Sequence, residues 1–214
     1  MIDMKIMIII PARQNSKRLK NKNLQKLGNY SLIENTIIFA KKNFKNFTIL
    51  VSTDSKKMRS LSLRQNILCP WLRPKKLSGD KSSSISVLKH ALSWSENKFN
   101  SYDAVLLLQP TTPFRKYKDI KFCINKFYNF KNFKNISIIS VKSKNKNFKK
   151  QKIFNLEKNK EFLPNGSFYL IGVNKIKRNQ IIGKKNTFGY LIKSKKYNLD
   201  IDKIEDLNQA RGYL

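Results

Sequence analysis

Acidic residues are scarce in this chain. Of its 214 residues, 13 are Asp or Glu against 45 Lys or Arg, a formal charge of +32. Two readings of that imbalance stand side by side. One is a protein that binds nucleic acid or another polyanion, because dense positive charge supplies salt-dependent affinity for phosphates. The other is a compositional bias. Lys, Asn, Ile and Phe are abundant together, as AT-rich codons would produce, and the lysines are spread along the whole chain. Net charge argues about solubility and non-specific association rather than about fold. On the second reading no specific nucleic-acid partner is expected, although the field still attracts anionic substrates.

Cysteine and histidine are also nearly missing. Cys69 and Cys123 lie far apart and outside any CxxC pair, which excludes a zinc site or a disulfide framework and suits a reducing compartment. Cys123 falls in an apolar helical pattern and is expected in the core. His90 stands alone, with no second His or acidic partner nearby, so a structural role is expected. No apolar run approaches the roughly 20 residues that span a bilayer. Met1-Ile2-Asp3-Met4-Lys5 lacks the build of a signal peptide. The expectation is a soluble, cytoplasmic protein without a membrane partner. Walker A, GxGxxG and Ser-His-Asp patterns are absent as well.

What is present is an α/β pattern, with a length that suits a single domain over 1–214. Ile6-Met7-Ile8-Ile9-Ile10 reads as a strand buried on both faces, stopping at Pro11. Ser31 and Glu34, at capping-box spacing, open a helix with Ile33, Ile37, Ile38 and Ala40 on its apolar face. A strand at 47–51 and a helix to about Gln65 follow, and 69–84 is irregular. Further helices are expected at 84–96, 118–128 and 204–210, and further strands at 104–108 and 136–141. Residues 142–163 are polar and weakly patterned, either a hairpin or a mobile loop. Asn165-Gly166 is a turn signal before a strand at 167–171. This order predicts a mainly parallel sheet with helices on both faces.

Polar clusters follow several of these strands: 12–23, 73–84, 109–115 and 200–202. In a parallel sheet, segments after strand carboxyl ends converge on one edge, so the first and third share a crevice. Nucleotidyl transfer fits. Arg13, Lys17 and Lys22 can neutralise a triphosphate as charge builds on leaving pyrophosphate. Asp200 and Asp202, two apart on an extended segment, direct both carboxylates to one face, and Mg²⁺ is usually held by paired carboxylates plus substrate phosphates. Blander readings exist for each piece: a solvated basic loop, a helix-entry cap at Asp-x-Asp, a rigid turn at Gln109-Pro110-Thr111-Thr112-Pro113.

Six segments taken together resemble the CMP-sialic acid synthetase family (acylneuraminate cytidylyltransferases), including relatives that activate legionaminic or pseudaminic acid. They are Pro11-Ala12-Arg13-Gln14-Asn15-Ser16-Lys17-Arg18 with Lys22-Asn23; Val51-Ser52-Thr53-Asp54; Leu72-Arg73-Pro74 with Leu77-Ser78-Gly79-Asp80 and Ser82-Ser83-Ser84; Leu107-Leu108-Gln109-Pro110-Thr111-Thr112-Pro113-Phe114-Arg115; Asn165-Gly166-Ser167-Phe168-Tyr169; and Asp200-Ile201-Asp202. The resemblance implies a Rossmann-like nucleotidyltransferase fold, and Mg²⁺-dependent transfer of CMP from CTP to the anomeric hydroxyl of a nonulosonic acid. It implies that Ala12, Arg13, Lys17, Asn23, Arg73 and Ser84 hold the nucleotide and that Gln109 and Tyr169 face the sugar. Lys22, Arg13 and Asp202 would be catalytic, and Asp200 and Asp202 would bind the metal. A homodimer is implied too, with 142–164 as a short dimerisation excursion. That segment carries no arginine, where the family places one against the sugar carboxylate; Lys149, Lys150 or Lys152 are the available substitutes, without a bidentate fork. Arg18 and Lys20 are indistinguishable from the general positive charge. The alternatives are transfer to Kdo or another sugar acid, and a non-catalytic polyanion-binding protein on a degenerate transferase fold.

Overall fold

The computed structural model describes residues 5–80, 82–99, 101–144, 153–157, 159–180 and 182–214. In chain order the strands are β1 (Ile6–Ala12), β2 (Lys26–Leu27), β3 (Tyr30–Ser31), β4 (Thr48–Thr53), β5 (Ala104–Leu107), β6 (Ser137–Ser143), β7 (Ile153–Asn155), β8 (Phe162–Gly172) and β9 (Thr187–Leu191). The helices are α1 (Leu32–Asn43), α2 (Lys56–Arg64), α3 (Ser84–Lys98), α4 (Tyr117–Tyr128), α5 (Val173–Lys177) and α6 (Ile204–Arg211). Capping sets the start of α1: Ser31 N donates to Glu34 Oε2 at 2.9 Å and Ser31 Oγ accepts from Glu34 N, the reciprocal box its spacing predicts.

Alternation along β1 divides the core. Ile6, Ile8 and Ile10 face α1 and α4, meeting Ile33, Ile37 and Cys123. Met7 and Ile9 face α3 and α5, meeting Leu88, Ala91 and Ile176. Successive strand side chains point to opposite faces, so an unbroken apolar strand needs helices on both. Each Ile fully buried here contributes about 1.5–3 kcal/mol. His90 packs edge-on against Trp71, with centroids 4.7 Å apart, and burial lowers its pKa. It is a structural residue, as its isolation in the sequence predicts.

The sheet has seven strands in the order β4-β1-β5-β8-β6-β9-β7. β1 is parallel to β4 and β5, and β6 to β9, while β8 and β7 run against their neighbours. The sheet is therefore mainly parallel in strand direction, as predicted. The chain leaves β1 on one side for β4 and returns on the other for β5, which opens a crevice beyond their carboxyl ends.

One reading needs correction. Asn165-Gly166 is not a turn: both residues lie inside β8, with Gly166 at φ +84°. The pairing of β6 with β8 shifts between Ile139 and Val141, whose partners are Tyr169 and Pro164. An αL glycine is as suited to a bulge as to a turn, so sequence alone does not separate them. The Lys-rich stretch after 172, for which the sequence predicts no element, contains α5 and β9, whose short apolar runs are masked by surrounding lysines. The hairpin reading of 142–163 holds at its ends, where Lys142 and Ser143 pair antiparallel with Leu163 and Phe162, while β7 within it pairs with β9. Lys149, Lys150 and Lys152 lie outside the described residues.

Candidate active site

The basic segment leaves β1 at the crevice. Ala12 is fully buried at the end of β1 and lines neither of the cavities that open on this loop. Asn23, also buried, donates from Nδ2 to Arg13 O at 2.9 Å and ties the two ends of the loop together. Leu19 pins the middle, packing with Leu27, Leu32, Ile201 and Leu207 in a small apolar cluster. With its ends and centre held, the loop presents its cations to the crevice.

Those cations are paired two by two. Arg13 Nη1 lies 2.7 Å from Asp80 Oδ1, and Lys17 Nζ lies 2.8 Å from Asp80 Oδ2. Lys22 Nζ lies 2.6 Å from Asp202 Oδ1, and Arg18 Nη1 pairs with Asp202 Oδ2. Arg18 is thus a site residue, contrary to its treatment as background charge. Lys20 has no ion pair among the described residues. Hydrogen bonding from Lys22, with Arg18 adding, holds the Asp202 carboxyl below its ordinary pKa. Lys17 and Arg13 do the same for Asp80.

Two cavities open on this loop, and a third adjoins them at Gln109. The first, about 370 Å³, is lined by Arg13, Lys17, Arg18, Lys22, Asn23 and Asp202. The second, about 340 Å³, is lined by Arg73, Ser78, Ser82 and Ser84 below the start of α3. Ser83 caps that helix by accepting from Ser86 N at 3.2 Å, and the first N–H groups of a helix suit an anion or a carbonyl. Arg73 is buried, donating from Nε to Ser78 Oγ at 3.3 Å with Asp54 Oδ1 at 3.8 Å from Nη2. Burial lowers its pKa and Asp54 opposes the shift. The third cavity, about 270 Å³, is mostly apolar, with Ile85, Leu107, Pro164, Tyr169 and Ile182 in its wall. Gln109 lines all three.

Gln109 is held by stitching between the loop after β5 and the β8 bulge. Thr112 Oγ1 donates to Gly166 O at 2.7 Å and Arg115 Nε to Ser167 O at 2.7 Å, while Arg115 Nη2 donates to Gln109 O. Ser140 Oγ donates to Phe168 O at 3.0 Å and accepts from Phe168 N at 2.9 Å, replacing ladder bonds the bulge removes. These bonds occupy backbone groups that burial would make costly to leave unpaired, and Gln109 O also accepts from Thr112 N at 3.2 Å. Burial pushes the pKa of Arg115 down to about 9, against the pull of Asp200.

Asp200 lines none of the three cavities, but its charge reaches Tyr169 in the wall of the third and it feels Lys22 in the wall of the first. Burial raises its pKa, outweighing a hydrogen bond from Thr111 and the charge of Lys22. The residue as a whole is nonetheless exposed to solvent, which limits the cost of its charge. Burial and then the Asp200 charge push Tyr169 up to about 12. Ile201 N donates to Thr111 O at 2.7 Å, joining this segment to the Gln109 loop. The helix-entry role belongs elsewhere: Asp206 Oδ2 accepts from Asp202 N at 2.9 Å and Lys203 N at 3.0 Å. The carboxylates of Asp200 and Asp202 are left for the site. Asp80, Arg18, Asp54 and Arg115 are the residues whose roles the sequence reading missed.

Residues 7–213 match the family model described as cytidylyltransferase. The chain belongs to the cytidylyltransferase family. Post-translational flagellin modification protein B of Campylobacter coli is 30% identical over 217 residues, covering 92% of this cytidylyltransferase chain and 89% of that one. CMP-N,N'-diacetyllegionaminic acid synthase of Legionella pneumophila is 39% identical over 121 residues, 56% of this chain. The match spans about half that relative's length, 52%. A CMP:2-keto-3-deoxy-manno-octonic acid synthetase solved with CTP shares the fold, with a TM-score of 0.71 at 14% identity over 98% of each chain. Among the described residues of this family member, no helix is long and apolar enough to cross a membrane.

Proposed function

We propose that the protein transfers CMP from CTP to the anomeric hydroxyl of a nonulosonic acid and releases pyrophosphate. One observation carries this: a cationic cavity lined by Asp202, a cavity under a helix N-terminus and an apolar cavity converge on Gln109, with Asp200 close enough to feel the charges of Lys22 and Asp202. The cationic cavity suits the triphosphate, the second the nucleoside, and the third a sugar with apolar substituents. The relatives' names, CMP-N,N'-diacetyllegionaminic acid synthase among them, support a nonulosonic acid over Kdo.

In this reading the sugar hydroxyl attacks the α-phosphorus, and the bond to the β-phosphate oxygen breaks. Arg13, Lys17, Arg18 and Lys22 stabilise the charge gathering on pyrophosphate. The hydroxyl proton goes to a carboxylate. Asp200, with its pKa raised by burial, is the stronger base of the pair, and Asp202, held ionised by Lys22, is the weaker. Asn23 Oδ1 is buried and without a partner; as an acceptor it suits an N–H or O–H of the nucleotide and not a phosphate. Lys142, whose charge reaches Asp200, stands where it can meet the sugar carboxylate.

The donor set fits Mg²⁺. Two carboxylates converge near Lys22, and no group of three or more His, Cys, Asp or Glu forms a dedicated cage among the described residues, which matches an ion carried largely by substrate phosphates. Asp200 and Asp202 would hold it, and when bound it would polarise the α-phosphate. Homodimerisation and a cytoplasmic setting remain part of the proposal. The test is pyrophosphate release from CTP with a panel of nonulosonic acids and Kdo. Turnover with none of them, by folded protein, would overturn the assignment.

A further inference from the structure

The way from the nucleoside cavity to the cationic cavity is crossed by one ion pair. Arg13 and Asp80 line both cavities, and their charged ends are 2.7 Å apart, with Lys17 on the second Asp80 oxygen at 2.8 Å. A nucleoside triphosphate with its base on one side and its phosphates on the other has to pass this point. Asp80 makes no other hydrogen bond or ion pair among the described residues, and its side chain is 50% exposed. Nothing but the two cations holds it there. Its two oxygens meet two cations much as a phosphate would.

We propose that Asp80 is an internal competitor for the phosphate cradle: its carboxylate occupies Arg13 and Lys17 until a polyphosphate displaces it, and returns as pyrophosphate leaves. This rests on the reading of 12–23 as the triphosphate loop. The exchange has a direction because a polyphosphate also reaches Lys22 and Arg18, which Asp80 does not touch. After transfer, pyrophosphate must compete with a tethered anion at half of the cradle. Asp80 therefore weakens substrate and product polyphosphate alike and speeds release of the latter. Exposed ion pairs are individually weak, so the competition is modest and readily reversed, as a step repeated every turnover requires.

Calorimetric titration of the whole chain, without added metal, tests this with inorganic tripolyphosphate, pyrophosphate and cytidine as probes. In Asp80→Asn both polyphosphates bind about tenfold more tightly than in the wild type, and cytidine binds equally to both proteins. Asp80→Ser gives the same readout should the amide variant fold poorly. Equal or weaker polyphosphate binding in the variants overturns the proposal and makes Asp80 a residue that positions Arg13. Absence of tripolyphosphate binding to the wild type and both variants overturns it as well. Tighter polyphosphate binding without CTP turnover by the wild type would uphold the competitor while removing the proposed reaction.

Discussion

Replacing Gly166 with alanine separates the backbone argument from the sugar-site argument. Gly166 sits at φ +84° in the β8 bulge, where an added Cβ would lie 2.8 Å from Gln109 Oε1 and 3.0 Å from Thr112 Cγ2. The positive φ alone costs a non-glycine residue about 1–3 kcal/mol. The two contacts relieve differently. Thr112 is fixed by its bond to Gly166 O and by Arg115, whereas Gln109 Oε1 is the end of a flexible side chain. Gln109 therefore turns away from the point where the three cavities meet. With about 2 kcal/mol lost, the melting temperature of a chain this size falls by about 4–8 °C. The sugar KM rises about tenfold, as expected for one lost hydrogen bond of about 1.4 kcal/mol. Direct CTP binding changes less than about threefold on the same scale, because Arg13, Arg73 and Lys22 are untouched. Thermal melts, steady-state kinetics with the sugar acid varied, and CTP titration read these three quantities. Gln109→Ala should reproduce the KM change without the loss of melting temperature, and the double variant should not add the two KM effects. A lowered melting temperature with an unchanged sugar KM would refute the placement of Gln109, and an unchanged melting temperature would refute the strain argument.

Lys22→Ala should lower kcat by about 10²–10³, the range for a lost transition-state donor, while Lys20→Ala stays within about twofold of wild type because Lys20 has no ion pair to lose; equal effects would return the loop to a solvated basic segment. Asp202→Ala should abolish turnover and weaken Mg²⁺ dependence with a melting temperature within about 2 °C of wild type, since the Asp202 side chain is itself 35% exposed; near-normal activity would make the Asp pair structural. The two aspartates should differ with pH. Asp202 has a depressed folded pKa and stabilises above its unfolded value of about 3.9, the contribution being lost as pH falls through the folded value. Asp200 has a raised folded pKa, so the native state prefers it protonated and its charge is a burden at neutral pH. Asp200→Asn should therefore melt higher than wild type at pH 7, by a margin that shrinks at pH 4, while turnover is lost; an equal or lower melting temperature at pH 7 would contradict the burial argument.

Much of the fold is legible because burial leaves a strong trace in apolar spacing. The run at β1 and the period of α1 and α4 need no tertiary information. What fails does so for identifiable reasons. β9 holds Phe188, Tyr190 and Leu191 in five residues, yet lysines on both sides hide it. The Asn165-Gly166 pair carries a conformational signal without a topological one, since only the pairing partner distinguishes a turn from a bulge. The substitution of Ser140 for ladder bonds, and of Arg115 for backbone donors, depends on elements far apart in sequence, and no local pattern announces either.

The site's cations illustrate a different limit. In a chain of +32, the presence of a lysine or arginine says little, and Arg18 and Lys20 look alike in sequence. Their neighbours separate them: Arg18 meets Asp202, and Lys20 meets no carboxylate among the described residues. Carboxylates are the scarce reagent, 13 against 45 basic residues, yet two of them stand on either side of one loop and pair with four of its cations. A drift towards lysine would not concentrate anions there, and a polyanion-binding surface would be weakened by them. Local neutralisation of the cradle fits the proposed cycle, in which a polyphosphate enters, is cut and leaves, because an uncompensated cluster of four cations would hold pyrophosphate too tightly for release. In so basic a chain, the acidic residues are the better guide to where chemistry happens.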